Sequence, residues 1–171
     1  MSQDTATDRT GDVVPALRVA GVVAALGVPL GLLWALLAPP VLVRVVADGR
    51  VAPLLGESEH RFDALGVFLL FALAIGVLAG TGAWMVRTRR GPAVLLGVLV
   101  GAFLASALGA WTGRLAATAH YAGVLLAAAP GTTVARAPAL ESAWVVVAAP
   151  FAVALTWATL VACTHADDLG R

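Results

Sequence analysis

The side chains able to do chemistry gather in two stretches of a chain otherwise poor in them. Glu57, Glu59, His60, Arg61 and Asp63 lie just before a long apolar run. Arg114, His120, Arg136 and Glu141 lie between two further apolar runs. Imidazole beside carboxylates is a donor set for a divalent metal or a polar ligand. The spacing of a metal motif is absent, because the histidines stand 60 positions apart. Ion pairing is the simpler account. Glu59, Asp63 and Glu141 each fall in or near the first turn of an expected helix, where acids meet the positive end of the helix dipole. The expectation is that Asp63 and Glu141 pair with Arg61, Arg114 or Arg136. The cluster Glu59, His60, Arg61, Asp63, Arg114, His120, Arg136 and Glu141 then holds no metal.

Catalytic signatures fail one by one. His60-Arg61-Phe62-Asp63 is not the two-histidine zinc helix. Gly56-Glu57-Ser58-Glu59-His60 ends in the wrong residue for a nucleophile elbow. No phosphate-binding glycine loop occurs. Asp167-Asp168 is a lone acidic pair that reads as solvated tail. The single cysteine, Cys163, excludes an internal disulfide and a multi-cysteine metal site. The expectation is a non-enzyme with no catalytic residue, no cofactor and no metal.

The elements that must position these residues are membrane helices. Of 171 residues, 60% are hydrophobic and 12% charged, where a soluble domain carries roughly 25% charged. The mean hydropathy is +0.93. Net charge is +1, and every basic residue is arginine. Nothing in that balance steers a nucleic acid. Crossing a hydrocarbon core of about 30 Å takes about 20 apolar residues. Residues 19–38, 64–86, 91–113 and 143–163 contain no charged side chain and meet that length. Each must be a helix, because lipid offers no partner to an unpaired backbone group. The hydrophobic interiors hold no ionisable group, the usual pointer to an ion path.

Orientation follows from the arginines. Arg87-Thr88-Arg89-Arg90-Gly91-Pro92 joins the second and third spans with three cations and no acid. The positive-inside rule places this turn in the cytoplasm. Residues 1–18 and 164–171 are then cytoplasmic tails, and loops 39–63 and 114–142 lie outside. The acidic leader with Asp4, Asp8 and Asp12 is unlike a secretory one, so the first span reads as uncleaved.

Small residues suggest how the spans pack. Gly97, Gly101, Ala105, Gly109 and Gly113 advance by four along the third span; Ala72, Gly76 and Gly80 do so along the second, and Gly27 and Gly31 along the first. Helices in lipid associate where small residues let backbones approach. The tight arginine turn makes the second span the expected neighbour of the third. Pro29 and Pro150 should kink their helices. Trp34, Trp84, Trp111 and Trp144 fall near span ends, where indoles favour the headgroup level.

In the first outer loop, Val41–Val46 is β-branched and Asp48-Gly49 follows, a hairpin signal. Val43–Val46 should pair with Arg50–Leu54. In the second loop, His120–Ala129 is apolar but too short to span, and Pro130-Gly131 breaks it. That stretch either prolongs the third helix, lies on the interface, or pairs with the hairpin. The fold expected is an all-α bundle of four membrane helices with a small extracytoplasmic cap containing a β-hairpin.

With these landmarks placed, the chain resembles an actinobacterial family of four-pass membrane proteins of unknown function. The matching pieces are Leu33-Trp34-Ala35-Leu36-Leu37-Ala38-Pro39, Ala47-Asp48-Gly49, Glu59-His60-Arg61-Phe62-Asp63, Trp84, Arg90-Gly91-Pro92, Gly101, Tyr121-Ala122-Gly123 and Asp167-Asp168-Leu169-Gly170. An arginine often precedes the tyrosine in that pattern, and here His120 stands there. The resemblance implies an actinobacterial plasma membrane and supplies no activity. The function expected is a non-catalytic accessory or scaffold protein of the cell envelope, its partners the lipid bilayer and an envelope protein held by the outer cap. The alternative is a small-solute or lipid-handling transporter acting as an oligomer.

Overall fold

A computed structural model describes residues 4–46, 50–53, 58–86, 92–140 and 142–163. The elements are α1 (Asp4–Ala25), α2 (Gly27–Leu37), β1 (Val41–Val45), β2 (Val51–Pro53), α3 (Ser58–Met85), α4 (Pro92–Leu126), β3 (Thr133–Arg136), a 3-10 turn (Ala143–Val147) and α5 (Ala148–Cys163). They make four helices long and apolar enough to cross a membrane, with a small antiparallel sheet at one end.

Proline chemistry divides the first span. Pro29 has no N–H to give the Ala25 carbonyl, and its ring crowds that oxygen. The helix breaks accordingly at Leu26, whose amide bonds to Val23 instead. Pro150 acts at a different place from the one expected. It is the third residue of α5, and the chain before it winds as a 3-10 turn rather than kinking a continuous helix.

Helix lengths differ from the apolar runs. α1 starts at Asp4, so residues 4–18 are helical and continuous with the first apolar run. The third helix continues thirteen residues past Gly113 to Leu126. Its 35 residues are about 52 Å long at 1.5 Å per residue, against a core of about 30 Å. The extension Arg114–Leu126 is rich in alanine and leucine and has no proline, so it keeps its helix beyond the apolar core.

Packing follows the small residues, with partners other than those expected. The third-span row faces the first span, not the second. A Cβ on Gly97 would reach the Ala16 carbonyl carbon at 3.1 Å; on Gly101, the Ala20 carbonyl oxygen at 2.7 Å; on Gly113, Cε3 of Trp34 at 2.7 Å. Gly27 abuts the Ala105 carbonyl, and Gly31 abuts Gly109 and Thr112. Numbers rise together on both helices, so the first and third spans run parallel. Gly76 and Gly80 face α5 instead, against Ala149, Ala152 and Thr156, again in parallel. The bundle is two parallel pairs, α1–α2 with α4 and α3 with α5, joined mainly where α4 meets α5. The short 86–92 connection fixes only the ends of α3 and α4; the close backbone contacts lie elsewhere.

Two tryptophans expected at the headgroups lie inside the bundle. Trp34 is fully buried, donates its indole N–H to the Ala64 carbonyl at 2.7 Å, and meets Phe68 edge-on with centroids 6.2 Å apart. Trp84 packs edge-on against Trp157 at 5.3 Å, and Trp157 donates to the Gly80 carbonyl at 3.1 Å. Trp111 and Trp144 are exposed, as headgroup anchors would be.

Ser106 is buried in α4, and its hydroxyl has no partner among the described residues. An unmade buried hydrogen bond costs more than its absence from an alanine. Ser106→Ala should therefore leave thermal stability in detergent unchanged or raise it, by up to about 1 kcal/mol. A clear loss of melting temperature would show that the hydroxyl bonds in solution.

Candidate functional site

The sheet end is where polar groups meet a fixed framework. β1 lies between β2 and β3. Val43, Arg44 and Val45 pair with Pro53, Ala52 and Val51, the hairpin expected from Asp48-Gly49, whose tip at 47–49 lies outside the described residues. On its other edge β1 pairs with β3, from Val41 with Arg136 to Arg44 with Thr133. Of the three possibilities for His120–Ala129, the first holds as far as Leu126, where α4 ends; the strand that pairs with the hairpin is the following segment, Thr133–Arg136, beyond Pro130-Gly131.

A tight turn delivers β3 to that edge. Pro130 and Gly131 are its central residues, and the Thr132 amide closes it onto the Ala129 carbonyl at 3.2 Å. Gly131 has a φ of +88°, which glycine adopts without the strain a Cβ would bring. Its amide donates to the Val45 carbonyl at 2.7 Å, and the Val45 amide donates to the Thr132 carbonyl at 2.9 Å. Val43 and Val45 turn inward and are buried, so Leu42 and Arg44 stand on the opposite, exposed face. Cross-strand partners share a face, which adds Ala52, Thr133 and Ala135 to that outward surface.

The predicted cluster is spread around this end. Glu59, His60 and Arg61 occupy the first turn of α3, with side chains outside the described residues. Asp63 is exposed on the same helix. Arg114 and His120 are exposed on the α4 extension, and the His120 ring meets Tyr121 edge-on at 5.0 Å. Arg136 is exposed at the end of β3. Glu141, the Arg87–Gly91 turn and Asp167-Asp168 lie outside the described residues. Among the described residues, no three His, Cys, Asp or Glu side chains come together as a metal site. Cys163 is exposed at the end of α5.

A family model described as a protein of unknown function, DUF2567, matches residues 23–171. The chain belongs to the DUF2567 family. An uncharacterized protein of Mycobacterium leprae is 33% identical over 161 residues, covering 84% of this chain and 81% of the relative. Uncharacterized proteins of Mycobacterium tuberculosis and Mycobacterium bovis are 32% identical over 169 residues, covering 85% of both chains. No solved structure matches. The resemblance drawn from the short landmarks thus leads to an actinobacterial family, and this member of it has four helices long and apolar enough to cross a membrane together with a three-stranded sheet.

The outward sheet face was not among the site residues expected from sequence. Arg44 and Thr133 lie 89 positions apart, and only the β1–β3 register brings them side by side. The alternation Leu42-Val43-Arg44-Val45 was the available signal for the β1 half.

Proposed function

We propose that this DUF2567 protein is a non-catalytic accessory or scaffold protein of the actinobacterial plasma membrane. Its sheet binds an envelope protein outside the cell, and both termini are cytoplasmic. The observation that carries the reading is the sheet. Three strands contributed by two separate connections hold Leu42, Arg44 and Thr133 outward on a short ladder fixed to the membrane bundle. β2 and β3 are its two edges. An edge strand offers backbone donors and acceptors to a further strand, and Pro53 on β2 makes β3 the better edge. The arginine-rich 87–90 turn supports the orientation.

One experiment tests location and partner together. In a Cys163→Ala background, cysteines at Ala129 and at Thr88 are treated on intact cells with a membrane-impermeant thiol crosslinker. Cysteine at Ala129, exposed beside β3, should couple to one envelope protein at fixed stoichiometry; cysteine at Thr88 should not react. Adding Thr133→Pro, which removes a β3 amide, should cut the crosslinked product at least tenfold without lowering expression. Reaction at Thr88 overturns the orientation. Efficient labelling at Ala129 with no crosslinked protein overturns the scaffold role.

A further inference from the structure

The two halves of the bundle separate at the end opposite the sheet. There α1 and α3 bound a laterally open cleft of about 400 Å³, within the size range of small-ligand sites. The first span contributes Val19, Val22 and Leu26, and α3 contributes Leu78, Ala79 and Gly82; among the described residues, Arg18 is the one charged residue lining the cleft. Nearer the sheet, Trp34 closes the same two spans by its bond to Ala64. The opening is therefore wedge-shaped, shut at one end and apolar along its length.

Depth places Arg18 near the headgroups. Gly97 abuts Ala16 and Gly101 abuts Ala20, so Arg18 is level with the end of the second turn of α4. That is roughly 10 Å along the axis from Pro92, within reach of a snorkelling guanidinium. Arg18 is the lone charged residue between Asp12 and Arg44. Gly82 leaves space: a Cβ built there meets nothing within 4 Å.

We propose that this cleft holds an acyl chain of an anionic glycerophospholipid, with its phosphate bound by Arg18. The site is independent of the sheet and of any partner there. The bilayer supplies the occupant from the side, the apolar walls take the chain, and guanidinium is the cation best shaped for a phosphate. A zwitterionic lipid fits the walls equally and should be held less well, because its headgroup brings a compensating cation toward Arg18.

The test is native mass spectrometry of the full chain in mild detergent, titrated with dioleoyl phosphatidylglycerol or dioleoyl phosphatidylcholine. One phosphatidylglycerol per chain should be retained, at least fivefold more strongly than phosphatidylcholine. Gly82→Leu should fill the cleft and lower retention of both lipids about tenfold. Gly66→Leu, where a Cβ also meets open space but lines no part of the cleft, should leave both unchanged. Arg18→Gln should abolish the preference for phosphatidylglycerol while keeping the bound chain. Equal retention of the two lipids by the unaltered chain overturns the proposal. So does a dimer, lost on Gly82→Leu, that occupies the cleft with a second copy.

Discussion

Isoleucine in place of Gly31 should leave little folded protein in detergent, while isoleucine in place of Gly21 on the same span should be tolerated. Both are helical glycines of the first span. A Cβ on Gly31 would fall on the hydroxyl of Thr112, the carbonyl oxygen of Gly109 and, at 2.7 Å, the amide nitrogen of Gly113. Two of those are backbone atoms inside a helix and cannot rotate away. Thr112 is itself tied to the Leu108 carbonyl at 2.8 Å. A Cβ on Gly21 meets nothing within 4 Å. Overpacking a close contact costs typically about 1–3 kcal/mol, and a backbone-on-backbone clash belongs at or above the top of that range. Thermal unfolding followed by size-exclusion recovery distinguishes the two variants. Similar stability for both would mean that α2 and α4 do not approach as closely as Gly31 and Gly109 indicate.

The same glycines show how far the sequence could be read. Counting charge-free stretches finds four spans because hydrocarbon tolerates so few polar groups. It does not find where a helix ends, since backbone hydrogen bonding continues past the lipid boundary. The α4 extension through Leu126 and the α1 start at Asp4 show this. The spacing of Gly97, Gly101, Ala105, Gly109 and Gly113 marks one face of a helix without saying what covers it. Proximity in the chain suggests the second span, but a short turn joins only two ends. Complementary small residues at Gly27 and Gly31 determine the partner along the whole length.

Trp34 and Trp84 teach a related lesson. Nearness to a span end does not distinguish a lipid-facing indole from a bundle-facing one. The distinguishing signal was present: Gly27, Leu30, Gly31 and Trp34 recur at helical spacing, and all four are buried. Ala149, Ala152, Val153 and Trp157 share a face of α5 in the same way. The β-hairpin was legible because Asp48-Gly49 and the valine-rich strands are local signals. β3 was not, because Thr133–Arg136 becomes a strand only through the partner that β1 provides. The candidate site inherits that limit, since Thr133 and Ala135 of its outward face come from β3.

Trp34→Ala should be the other severe substitution, and comparison with Trp34→Phe separates its causes. The indole joins three spans. It belongs to α2, its N–H bonds the Ala64 carbonyl of α3 at 2.7 Å, and its ring lies over Gly113 of α4. Phe68 completes the enclosure edge-on. Truncation to alanine opens a large cavity and removes all of these contacts. Phe or Trp to alanine in a well-packed core costs roughly 3–5 kcal/mol. Part of that range is transfer from water, which counts for less between lipid-facing helices, so a loss of about 3 kcal/mol is expected. Phenylalanine keeps most of the ring contact over Gly113 but has no donor. Its cost should be about 1–2 kcal/mol, the worth of an interhelical hydrogen bond in a membrane plus a modest void. Unfolding midpoints in detergent should therefore fall in the order unaltered chain, Trp34→Phe, Trp34→Ala. The α2–α3 end should open with them: cysteines at Ala35 and Leu65, both half-buried against this core, should gain thiol reactivity in Trp34→Ala and little in Trp34→Phe. If phenylalanine proved as damaging as alanine, the bond to Ala64 would carry the junction. If neither lowered the midpoint, the indole would face lipid as its place near the span end first suggests.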